Sequence, residues 1–83
     1  MYQIKIKPKA QKEFQKLPKI YQEKVLATFL FIQQNPFCGK KLLGELSGLY
    51  SYRLWPYRII YEIYAKELVI LVIRIGHRQK IYK

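Results

Sequence analysis

The 83-residue sequence contains no aspartate, and its 5 glutamates face 16 lysines and arginines, leaving a net charge of +11. Scattered glutamates alone give no carboxylate cage for a magnesium-dependent reaction. One histidine (His77) and one cysteine (Cys38) exclude a zinc site of ordinary composition. A single cysteine also makes no internal disulfide, which predicts a reducing, cytoplasmic home. No apolar signal core occupies the start, where Tyr2, Ile4 and Ile6 alternate with Gln3, Lys5 and Lys7. The longest apolar run, Leu68 to Ile73, is far short of a membrane span. Phosphate loops, dinucleotide fingerprints and serine elbows are likewise missing.

What is present is a core. Hydrophobic residues make up 51% of the chain and aromatics 16%, too rich for a disordered segment. A chain this short buries only roughly 60–65% of its unfolded surface, so nearly every apolar run must be interior. One domain spanning residues 1–83 is expected. The excess positive charge points to a polyanionic partner: nucleic acid, an anionic membrane or an acidic protein.

The pattern predicts the element order β-α-α-β-β-β. The alternating N-terminus reads as a half-buried strand that Pro8 closes. Ala10, Phe14 and Leu17 recur at helical spacing over Lys9–Leu17, and Pro18 suits the first turn of a second helix. That helix runs to Gln34, with Tyr21, Val25, Phe29 and Ile32 as its stripe and Leu26 and Leu30 beside it, and Asn35-Pro36 ends it. Residues 36–48 read as a connector with three glycines and the pair Lys40-Lys41. Strands are expected at 49–55, 57–64 and 68–75, broken at Pro56 and at Ala65-Lys66. The whole is expected to be an α+β fold: a four-stranded, mainly antiparallel sheet with the αα-hairpin packed on one face. Strand 68–75, apolar on both faces, is expected in the sheet interior, and residues 77–83 are too polar for core.

If the protein is an enzyme, its working groups are Arg, Lys, Tyr and His77. That set suits cleavage of RNA, whose 2′-hydroxyl lies next to the scissile phosphate. Internal attack needs no metal when cations stabilise the charge developing on the phosphate. The candidates cluster in the second half. Arg53, Arg58, Arg74 and Arg78 interleave with Tyr50, Tyr52, Trp55, Tyr57, Tyr61, Tyr64 and Tyr82, and aromatics beside arginines can stack bases while the cations hold phosphates. Most strand tyrosines are nonetheless packing residues, and lysines 9, 12 and 16 read as a solvated helix face. Arg58 cannot be neutralised, so it needs a partner such as Glu62 or must open onto a cleft.

The stretch Gly48-Leu-Tyr-Ser-Tyr-Arg-Leu-Trp-Pro-Tyr-Arg-Ile-Ile-Tyr, with Val-Ile-Arg-Ile-Gly-His-Arg at 72–78 and Tyr82 beyond it, resembles the RelE/ParE superfamily of type II toxin–antitoxin toxins. Phe14-x-x-Leu-Pro18 and Lys41-Leu-x-Gly44 extend the resemblance over the whole chain. RelE-type members are ribosome-dependent endoribonucleases that cut mRNA in the A site. ParE-type members share the fold but poison DNA gyrase without being enzymes. On the RelE pattern Arg58 stabilises the phosphate, Arg78 serves the leaving group, Tyr82 stacks on or activates the nucleotide, and Arg53 is one of two basic residues on the preceding strand. The other position, a lysine in RelE, is Ser51 here. That leaves open which of Tyr82, His77 or a lysine acts as acid or base. Lys40, Lys41, Trp55, His77 and Lys80 are candidate RNA contacts. The implied partners are an acidic antitoxin, through which the complex binds operator DNA, and the ribosome with its mRNA; no cofactor and no metal is implied. Arg78→Ala is expected to abolish toxicity in induced cells while the purified variant keeps its circular dichroism. Undiminished toxicity in a folded variant removes Arg78 from the site.

Overall fold

Alternation of Tyr2, Ile4 and Ile6 with polar neighbours makes the first strand, β1 (Gln3–Ile6), and the ring of Pro8, fixed near helical φ, starts α1 (Pro8–Gln15) in the same stroke. A computed structural model of the chain describes residues 1–77. After α1 come α2 (Lys19–Gln34), β2 (Lys40–Lys41), β3 (Leu49–Leu54), β4 (Tyr57–Tyr64) and β5 (Val69–His77). Single 3-10 turns lie at Pro36–Cys38 and Gly44–Leu46.

The α+β arrangement expected from the sequence is the one adopted. The sheet has five strands rather than four, in the order β1-β5-β4-β3-β2. β1 runs parallel to β5, and the remaining pairs are antiparallel. The added strand, β2, is cut from the expected connector, where Lys40 pairs with Ser51 and Lys41 with Tyr50. Nothing in the composition of Lys-Lys favours a strand, so tertiary pairing decides it. β5 lies inside the sheet, between β1 and β4, and runs two residues past the expected end at 75 to reach His77. At its other end Leu68 drops out of the strand: its φ of 55° closes the Ala65–Leu68 turn.

The core lies between the helices and one sheet face. Ala10, Val25, Phe29 and Ile32 from the helices meet Ile59, Tyr61, Ile70, Val72 and Ile75, with Tyr2, Ile4, Ile6 and Tyr52 packed around them. Gln22 ties the helices together, its side-chain amide donating to the carbonyls of Phe14, Gln15 and Leu17 at 3.2–3.3 Å. These carbonyls lie at the end of α1, where the helix runs out of its own N–H donors, and that of Phe14 also accepts from the Leu17 amide at 3.1 Å.

β5 carries a register shift. Ile60 opposes Arg74 and Tyr61 opposes Val72, so Ile73 is the extra residue of a bulge. β1 stops at Ile6, and the amide of Ile75 therefore lies past its reach. Glu13 of α1 takes over: its carboxylate accepts from the Ile75 amide at 2.9 Å and from Nε and Nη2 of Arg74 at 2.9–3.2 Å. Arg74 is thus bound into the structure and is not available to a ligand as the sequence allowed. Glu13→Ala orphans a part-buried amide and a guanidinium together. It is expected to lower unfolding free energy in urea by about 2–3 kcal/mol, and Glu13→Gln, which keeps an acceptor, by about 1 kcal/mol.

Candidate functional site

The sheet face away from the helices carries the arginines. Along β3 the side chains of Leu49, Ser51 and Arg53 alternate with core-facing Tyr50, Tyr52 and Leu54. The hairpin register sets Arg53 directly opposite Arg58, and Gly76 of β5, which has no side chain, opposite Arg58 on its other flank. Two guanidiniums facing each other across a strand pair repel, and an anion between them relieves that repulsion. Two of the five glutamates are engaged elsewhere. Glu13 holds Arg74, and Glu62 accepts from the Tyr64 hydroxyl at 2.8 Å, pushing that phenol's ionisation up. Among the described residues the ion pair found is Arg74–Glu13, and Arg58 opens onto a surface depression.

That depression, of about 440 Å³, is lined by Cys38, Lys40, Ser51, Tyr52, Arg53 and Arg58 among others. Its floor is low because Ser51 is small and, like its cross-strand partner Ile60, only 3% exposed. The structure therefore brings together Arg53, Arg58 and Lys40. Lys41, the next residue on β2, pairs with Tyr50 and so belongs to the opposite face. Trp55 stands in the β3–β4 turn, 58% exposed, with the Arg53 guanidinium 5.9 Å from its ring centre. His77 pairs with Tyr57, a residue of the helix-bearing face, and meets its ring edge-on at 6.2 Å. The register thus separates His77 from the arginine pair. Arg78, Lys80 and Tyr82 lie outside the described residues. No group of three His, Cys, Asp or Glu among the described residues could hold a metal ion. No helix is long and apolar enough to cross a membrane.

Sequence reading missed what holds β2 in place. Tyr61, completely buried, donates its hydroxyl to the Pro36 carbonyl at 2.8 Å and accepts from the Gly39 amide at 3.1 Å. A Cβ at position 39 would stand 2.5 Å from that hydroxyl and 3.1 Å from the Ser51 carbonyl, so only glycine fits. Burial, and after it the adjoining Cys38, push the Tyr61 phenol far above its ordinary range, which keeps it a neutral donor. Tyr61 had looked like one more aromatic among the arginines. The clue was Gly39, three residues after Pro36, in a segment otherwise free to bulge.

A family model described as ParE toxin of type II toxin–antitoxin system matches residues 4–82. The chain is a type II toxin of the RelE/ParE superfamily. The toxin is 31% identical over 84 residues to Toxin RelG of Mycobacterium tuberculosis, covering 99% of this chain and 97% of that one. Among solved structures, the toxin–antitoxin complex RelBE2 from Mycobacterium tuberculosis superposes with a TM-score of 0.87 at 29% identity, covering 93% of the toxin and 98% of its counterpart. The archaeal RelE–RelB complex from Pyrococcus horikoshii gives 0.81 at 30% identity, over 95% and 97% of the two chains. Tyr61→Phe in the toxin is expected to leave the Gly39 amide and the Pro36 carbonyl without their partner. Thermal and urea unfolding should show a loss of about 1–3 kcal/mol, with faster amide exchange concentrated at residues 39–41.

Proposed function

We propose that the toxin is a metal-independent endoribonuclease that inhibits translation by cutting mRNA in the ribosomal A site, acting in the cytoplasm as a single domain. The observation that carries this reading is the Arg53–Arg58 pair, opposed across a hairpin, open to a depression and without a carboxylate among the described residues. The 2′-hydroxyl attacks the adjacent phosphorus, forming the P–O2′ bond and breaking P–O5′. Its proton passes to a base, and a proton is delivered to the departing 5′-oxygen. The products are a 2′,3′-cyclic phosphate and a 5′-hydroxyl. Arg53 and Arg58 stabilise the added negative charge on the phosphorane oxygens, an effect worth roughly 3 kcal/mol per well-placed donor. Arg78 serves the leaving group and Tyr82 the nucleotide base, as the family resemblance implies, and Trp55 offers a ring for stacking at the rim.

The partner in the resting state is an acidic antitoxin. Its counterparts in the RelBE2 and archaeal complexes support this, as does the charge of +11. An apolar surface supports it further: Leu26, Leu30 and Phe31 of α2 are about half exposed or more, at the spacing a partner helix would read. Operator DNA is bound through the antitoxin. Docking on ribosomal RNA falls steeply as salt rises.

A second reading, a non-enzymatic toxin acting on DNA gyrase, is favoured by the ParE description of the matching family model. Induction in bacterial cells with primer-extension mapping of mRNA 5′ ends separates the two. Cuts inside translated codons are expected, weakened roughly 100-fold or more by Arg58→Ala. Growth arrest without cuts, accompanied by an SOS response, overturns the ribonuclease reading in favour of gyrase.

A further inference from the structure

We infer that Lys40 is a third substrate-contacting cation of the site, supplied by the added edge strand β2 in place of a basic side chain at Ser51. This rests on the ribonuclease reading and extends it to a residue that the arginine pattern does not contain. The register sets Lys40 directly opposite Ser51. Residues so paired share a face with Cβ atoms about 5 Å apart. Lys40 therefore stands on the same face as Arg53, which lies two residues from Ser51, and as Arg58 opposite Arg53. All three border one depression, and its floor at Ser51 is short and buried, so nothing on β3 stands between the ammonium and the arginines.

The lysine is also held in place. Gly39 before it bonds to the buried Tyr61 hydroxyl, and Leu42 two residues after it donates to the Leu49 carbonyl at 2.9 Å. A two-residue strand fixed at both sides presents its one depression-facing side chain from a rigid backbone, which is what charge stabilisation of a transition state requires. No carboxylate among the described residues pairs with Lys40. A phosphate seated between Arg53 and Arg58 is bordered by β2 on the Arg53 side, and a lysine reaches it from there as a point charge.

The test uses the purified full-length toxin with K40A, K40R, K40A/S51K and, for equal loss of charge, K66A in the β4–β5 turn at the far end of the hairpin. Single-turnover cleavage is followed on ribosomes programmed with a short mRNA, and binding with a trinucleotide RNA made uncleavable by 2′-O-methyl groups. K40A is expected to slow cleavage about 100-fold or more, and K66A by no more than about threefold. Moving the lysine across the ladder in K40A/S51K should recover at least about tenfold of the loss. If buried position 51 does not take a lysine, as judged by circular dichroism, K40R is the rescue, since it keeps the charge on β2. A folded K40A cleaving within about threefold of the unaltered toxin overturns the inference while leaving the ribonuclease reading intact. If the unaltered toxin cuts nothing, that reading falls, and the trinucleotide alone judges Lys40. Binding about tenfold weaker in K40A than in K66A keeps Lys40 as a phosphate ligand, and equal binding removes it.

Discussion

The Tyr61 hydroxyl is the interaction on which the position of β2 beside the arginine-bearing face depends. It is buried under the sheet, yet it controls the position of a surface strand. By donating to Pro36 and accepting from Gly39 it draws the turn after α2 down against the hairpin. Only with Gly39 seated there can the next two residues pair with β3. The phenol is flanked by the rings of Tyr50, stacked at 5.7 Å, and through Tyr50 by Phe37 at 5.8 Å. These contacts keep water from competing for the hydroxyl. A buried polar group satisfied twice costs little, whereas the same group half satisfied would be a liability.

A second constraint acts through charge. The fold places two arginines and a lysine on one short patch of sheet and occupies its nearby acids with other duties: Glu13 with Arg74 and the bulged strand, Glu62 with Tyr64. The mutual repulsion of the cations is borne by the hydrophobic burial on the sheet's other face, where Ile59, Val72 and Ile75 are essentially inaccessible. One side of the sheet carries most of the buried apolar surface and the other carries the clustered cations.

Much of this was legible in the chain. α2 and β4 lie where the periodicity put them, because long amphipathic helices and hydrophobic strands announce themselves. Arg53 and Arg58 follow from hairpin geometry once Pro56 marks the turn. Other parts depend on long-range pairing that local pattern does not encode. Lys40-Lys41 has no intrinsic reason to be extended. The bulge at Ile73 changes which residues of β5 face the core, and a run apolar on both faces carries no sign of it. Leu68 looks like strand but adopts a left-handed turn. His77 lies beyond the strand that the apolar run predicts, and the ladder with β4 turns it toward Tyr57. Glu13 gave no signal at all, since a glutamate on a helix surface is ordinary until a strand amide is found within its reach.

The strand order carries one more consequence. The sheet ends on one side in β1, whose outward positions include Lys5, and on the other in β2, which consists of two lysines. Both borders are short and positively charged, so two folded copies meeting edge to edge would align like charges. Lysines at these borders thus act against strand addition and fibre growth. Among the described residues, the apolar side chains exposed along α2 thus sit beside sheet borders whose charge is set against copies of the same chain.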